Sequence, residues 1–269
     1  MNPRYFAHTR GLTLLAVAAA TGLALAGCAS SAGGSNASTA GSTGAASQPA
    51  ANGGASSASS ASAGGTVTGP AIFPLAVGNT WVYQEKLTGM HGTVTERVAS
   101  VIPGDGGQRV IMQSRNDLPG IPHTATSSTF VEHPDGSISV PLTQVGSTAI
   151  SVKSGSIVWP GAAQLASGQA YPSTLVVSIN EGGHSLTEKA HIVVRGAGTQ
   201  TVHVPAGTYR ATVVNEAITV KVMGFAVGVD VRTWLAPGVG PVKSEVSTKQ
   251  GPLSSGMASE QVLKSFTRG

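Results

Sequence analysis

Thiols, charge and aromatic rings are all scarce in this chain, and each scarcity excludes something. One cysteine, Cys28, among 269 residues leaves no internal disulfide to form, even in an oxidising compartment. Charged residues make up 10% of the chain, and none falls between Arg10 and Glu85. The formal net charge of +4 includes Arg4 and Arg10, so from residue 11 onward it is +2. Nowhere do Lys and Arg cluster into the basic surface that nucleic acid demands, so no nucleic-acid partner is expected. Phe, Trp and Tyr together are 4% of residues, too few to line a large lipid-carrying cavity generously. No G-x-S-x-G, H-E-x-x-H or phosphate-loop pattern is present, so no catalytic residue is assigned.

What is present begins with a leader. Residues 1–10 carry Arg4, His8 and Arg10, and residues 11–26 are apolar and uncharged. This has the length of a secretory signal core and is too short and Ala/Gly-rich for a membrane span. Arg4 and Arg10 are not adjacent, so no twin-arginine signal is read. The stretch Leu25-Ala26-Gly27-Cys28 resembles the lipobox of bacterial lipoproteins. That resemblance implies cleavage after residue 27 and a diacylglyceryl thioether on Cys28, whose two acyl chains, with N-terminal acylation adding a third in many species, make a durable membrane anchor. Residues 28–69, rich in Ala, Gly and Ser, bury too little to offset their ordering entropy and read as a disordered tether. The expected location is extracytoplasmic, at the cell membrane, the membrane itself being one partner.

From about residue 70 the pattern is all-β. Val and Thr alternate with polar residues, and Gly, Pro, Asn and Asp recur every eight to twelve residues. The expected fold of 70–269 is a curved, mostly antiparallel meander, half-barrel-like. Strands are predicted at 80–87, 92–102, 108–115, 124–132, 136–141, 174–180, 188–195, 199–204, 208–222, 227–235, 241–248 and 259–267. A short helical turn is predicted at 161–168. Leu75–Trp81 (LAVGNTW) and Leu165–Tyr171 (LASGQAY) share a scheme in which a glycine turn leads into a strand anchored by an aromatic. Two successive meanders with a seam near 160 would explain that repeat.

Candidate sites are few. A hairpin at Gly196-Ala197-Gly198 would set His191 opposite His203, two imidazoles that could begin a metal site, although no third ligand is assignable and no metal or cofactor is expected. Asp117, Glu132 and Asp135 lie near His123 and His133, an acid–base set if the fold gathers them. Against that, His133-Pro134-Asp135-Gly136 is a strong β-turn sequence. His184 falls in a further loop sequence, and Arg232, Lys243 and Glu245 flank a hairpin across which they can pair.

Three further motifs carry a resemblance: FPLAVGNTWVY at 73–83, VPAGTY at 204–209 and WLAPGVGPVKSE at 234–245. Together they resemble a recurrent domain of exported bacterial proteins and lipoproteins of unknown function, over about 70–250. Tyr209 stands where that pattern has Phe, and Pro241 where it has an aliphatic residue. The resemblance implies turns that build a fold rather than a catalytic centre. The functional expectation is a binding or interaction module that takes an envelope protein or a small apolar ligand. The alternatives are a carrier of lipid-like ligands and an envelope hydrolase using His and carboxylates, with an enzyme the less favoured.

Overall fold

The computed structural model describes residues 73–87, 89–119, 125–140, 150–181, 184–222, 225–250 and 258–269. Residues 1–27, Cys28, the 28–69 tether and His123 lie outside them. Thirteen strands are present: β1 (Thr80–Leu87), β2 (Met90–Gly104), β3 (Gly107–Asn116), β4 (Ala125–Glu132), β5 (Ile138–Val140), β6 (Ile150–Ser154), β7 (Ile157–Trp159), β8 (Ala170–Glu181), β9 (His184–Val204), β10 (Gly207–Val222), β11 (Phe225–Ala236), β12 (Gly240–Gln250) and β13 (Ala258–Thr267). A five-residue helix, α1 (Ala162–Ala166), follows β7. Among the described residues no helix is long and apolar enough to cross a membrane.

All thirteen strands form one antiparallel sheet in the order β6-β8-β9-β10-β11-β12-β13-β1-β2-β3-β4-β5-β7. Two runs of consecutive strands, β1–β5 and β8–β13, meet side by side at the β13–β1 pair. The sheet curls without closing. β7, at one edge, packs against β8 and β9 near the other, and β9 comes close to β12 and β13. The Ala206 N–H, in the β9–β10 turn, donates to the Leu263 carbonyl of β13 at 3.0 Å. In a flat sheet, those strands would lie about three spacings of 4.8 Å apart, so only curling allows the bond.

Period-two alternation explains which face is inside. On β1, Trp81, Tyr83 and Leu87 are buried between the half-exposed Val82 and the exposed Gln84 and Lys86. On β10, Ala211 and Val213 are buried, and after the bulge Val214, Ile218 and Val220. The inner faces merge into one core that runs from Phe73 and Trp81 to Phe130 and Val194, and α1 adds Leu165 to it.

The structure overturns one predicted turn. β9 is a single strand from His184 to Val204, with no hairpin at Gly196-Ala197-Gly198. Its glycines serve a bulge instead: the β9–β10 register shifts between Thr212 and Val214, which pair with Thr199 and Gly196. Gly196 is there for close approach, because a Cβ would sit 1.9 Å from the Leu165 carbonyl oxygen of α1. β6 and β7 were not predicted. The helical turn forms within the predicted span, where the Gly161 N–H donates to Gln164 Oε1 at 2.8 Å.

Candidate functional site

Of the sequence-derived candidates, Arg232, Lys243 and Glu245 come together across the β11–β12 pair, whereas the histidines and the other carboxylates do not converge. With β9 continuous, His191 pairs with Thr174 and Thr219 while His203 pairs with Thr208, twelve positions along one strand. At about 3.4 Å per residue that is roughly 40 Å, so the proposed imidazole pair does not exist. Glu132 sits opposite Gln108 at the start of β3, whereas Asp117 follows the end of β3, about 30 Å away along the strand. Asp117 pairs with exposed Arg115 at 3.7 Å. His133, Asp135 and Gly136 form a turn: the Gly136 N–H donates to the His133 carbonyl at 2.9 Å. The hydroxyl and backbone N–H of Ser137 both donate to Asp135 Oδ1, at 2.6 and 2.9 Å, and hold its carboxyl below the usual range. The two His133 nitrogens contact the Gly106 carbonyl and the Ser139 hydroxyl. His184 opens β9 rather than lying in a loop. Among the described residues no three His, Cys, Asp or Glu are placed to hold a metal.

Two of the three motifs behind the resemblance, 73–83 and 234–245, meet. Gly78, with φ +89°, turns the chain into β1 so that Trp81 lies between Phe73 (ring centroids 5.1 Å) and Phe266 (5.2 Å). The Trp81 indole donates to the Val239 carbonyl at 2.6 Å, and the Tyr83 hydroxyl to the Pro241 carbonyl at 3.1 Å. Both acceptors belong to the β11–β12 hairpin. Its Gly240, φ +92°, lies against the Phe73 ring, where a Cβ would come within 2.4 Å. These residues hold the seam of the sheet together.

A groove of about 1030 Å³ crosses the polar face of the sheet. One rung of the ladder runs along it: Arg195 (β9), Asn215 (β10), Arg232 (β11), Glu245 (β12), Glu260 (β13) and Lys86 (β1), each the register partner of the next. The adjoining rung supplies Val193, Ala217, Asp230 and Ser247. Lys243 bonds both Glu245 and Glu260 at 2.8 Å. Burial alone would lower its pKa, but the two carboxylates win and hold it above the ordinary value. Arg232 and Lys243 also cover the Trp234 ring, at 4.8 and 5.3 Å from its centroid, and the indole N–H donates to Gln200 Oε1 at 3.2 Å.

A DUF3108-like family model matches residues 138–258. That stretch, a little under half of the chain, runs from β5 into β13 and holds most of the groove. In fold the chain is similar to a candidate lipoprotein from Parabacteroides distasonis ATCC 8503, at 17% identity and a TM-score of 0.53, over 73% of this chain and 98% of that one. A candidate exported protein with a YmcC-like fold from Bacteroides fragilis NCTC 9343 is also 17% identical, with a TM-score of 0.48 over 73% and 98%. The hypothetical lipoprotein YmcC from Escherichia coli (K12) is 12% identical, with a TM-score of 0.36 over 72% and 87%. No curated protein matches the chain. The Parabacteroides likeness is one of fold.

The inner face holds what sequence reasoning missed. Glu85, Glu96, Glu132 and Glu216 are all buried, and the buried polar set among the described residues contains no lysine, arginine or histidine. Burial lifts the Glu85 pKa to about 7, and burial with the Glu85 charge lifts Glu96 to about 8. Glu216 rises to about 8 by burial; the approaching Trp159 indole offsets part of this, yet neither carboxylate oxygen has a well-formed hydrogen bond. Burial also raises Glu132, against a hydrogen bond from the Gln108 amide. Glu85, Gln261, Ser244 and Thr233 form a polar rung across four strands, and Gln261 Nε2 is buried without a partner. The signal was available: W-x-Y-x-E-x-L, V-x-E-x-V and V-x-E-x-I each put Glu in phase with the apolar face.

Proposed function

We propose that this chain is an exported lipoprotein, acylated on Cys28, whose sheet is a binding module displayed on the 28–69 tether outside the membrane. The groove is the observation that carries the binding reading. Six neighbouring strands align charged and amide side chains on one rung, and the same face supplies small apolar contacts at Val193 and Ala217. Anchoring rests on the Leu25–Cys28 sequence. The core side chains that fill the inner face, Trp81, Tyr83, Phe130 and Met112 among them, favour a ligand held outside the sheet over one carried within it.

Two measurements test this. Labelled palmitate should enter the full chain and be lost on Cys28→Ala; incorporation that survives the substitution overturns the anchor. A photo-crosslinking amino acid at Asn215, in the groove, should trap an adduct in intact cells, and one at exposed Leu186 should not. Equal trapping at both positions, or none at either, overturns the binding module.

A further inference from the structure

The binding reading above leaves the ligand open, and the order of charges along the groove narrows it. We propose that the groove takes an extended peptide bearing charges of opposite sign about six residues apart, its acidic group at Arg195 and its basic group at Glu260.

The rung changes sign along its length. Its β9–β11 part offers two guanidiniums with an amide between them, at Arg195, Asn215 and Arg232. Its β12–β13 part offers two carboxylates, Glu245 and Glu260, whose side chains are 43% exposed even with Lys243 on both. A polyanion would meet guanidiniums at one end but, at the other, two carboxylates beside Lys243 and Lys86, with no run of positive charge to follow, so nucleic acid and phosphate-rich polymers do not fit. A glycan is disfavoured too. Sugar rings are held by stacking on aromatic faces, no aromatic lines the groove, and the nearby Trp234 is 6% exposed under Arg232 and Lys243. From Arg195 to Glu260 there are four inter-strand spacings, about 19 Å at roughly 4.8 Å each. An extended chain covers that in about six residues at roughly 3.3 Å per residue. Val193 and Ala217, on the adjoining rung, suit aliphatic side chains or backbone.

The test uses the full chain and four fluorescent seven-residue peptides with a glycine–serine spacer: one with glutamate and lysine at opposite ends, one with glutamate at both, one with lysine at both, and one uncharged. Anisotropy titrations should show the mixed-charge peptide binding about tenfold more tightly than the uncharged one, the yield of two exposed ion contacts. Arg195→Glu should move the preference to the lysine–lysine peptide, and Glu260→Lys to the glutamate–glutamate peptide. A merely structural role for these side chains would lower all four affinities together. No preference for the mixed-charge peptide, or a preference that neither reversal moves, overturns the proposal. If Asn215 still traps an adduct in cells, the groove stands and only this ligand class falls; if it traps none, both fall.

Discussion

Glu96 offers the sharpest energetic test. It lies on β2 opposite Trp81, buried, with no basic residue in the buried polar set to neutralise it. The charged or titratable groups acting on it are Glu85 and Tyr83, both on β1, and the Glu96 charge in turn raises the Tyr83 hydroxyl pKa. Its carboxyl titrates near 8 in the folded protein against an ordinary 4.5. The folded state therefore binds the proton more tightly, and stability falls as pH rises from about 4.5 to about 8, then levels off. At 1.36 kcal/mol per pH unit, the loss by pH 7 is roughly 3 kcal/mol relative to pH 4.5. Glu96→Gln keeps the shape and never ionises. Urea unfolding should find the two proteins within about 0.5 kcal/mol of each other near pH 4.5. At pH 7 the variant should be more stable by roughly 3 kcal/mol, a midpoint shift of about 1–1.5 M for a slope near 2–3 kcal/mol/M. A gap between the proteins that stays constant from pH 5 to 8, or a wild type that gains stability on that path, would refute the assignment of a neutral buried carboxyl.

Gly196→Ala should drive a methyl into the Leu165 carbonyl, with a loss of about 1–3 kcal/mol and faster amide exchange across α1; unchanged exchange there would refute the packing. Trp81→Phe should cost about 2–4 kcal/mol in thermal unfolding, because it removes ring area and leaves the Val239 carbonyl without its donor. Lys243→Met should lower the groove's affinity for acidic probes and cost about 1 kcal/mol in urea stability, because Glu245 and Glu260, opposite each other on β12 and β13, lose the half-buried cation between them.

Most strands were legible because alternation and turn residues agreed. Thr80–Leu87 has both, and so do the Pro205-Ala206 and Pro237-Gly238-Val239 turns that join β9 to β10 and β11 to β12. The misreading at Gly196-Ala197-Gly198 has a physical origin. Glycine marks positive φ and close approach alike, and here Gly198 has φ +83° within a bulge while Gly196 makes room for α1, a partner about thirty residues away. β7 escaped notice because three residues carry almost no periodic signal. Of the groove, only the Arg232, Lys243 and Glu245 grouping was legible, from the hairpin they flank. Its rung crosses six strands, of which β9 to β13 pair in sequence order and only Lys86 depends on β13 pairing with β1, and the register that aligns these side chains passes through bulges that alternation does not reveal.

That same pairing constrains how the molecule can be made. The β1 strand sits mid-sheet, and Asn79, beside it, accepts a hydrogen bond from Gly269, 190 residues away. Until the distal segment has arrived, β1 keeps one flank of backbone donors and acceptors bare, a template for any stray strand. A chain made N-terminus first would thus hold this edge open until residues 258–267 are available to cover it.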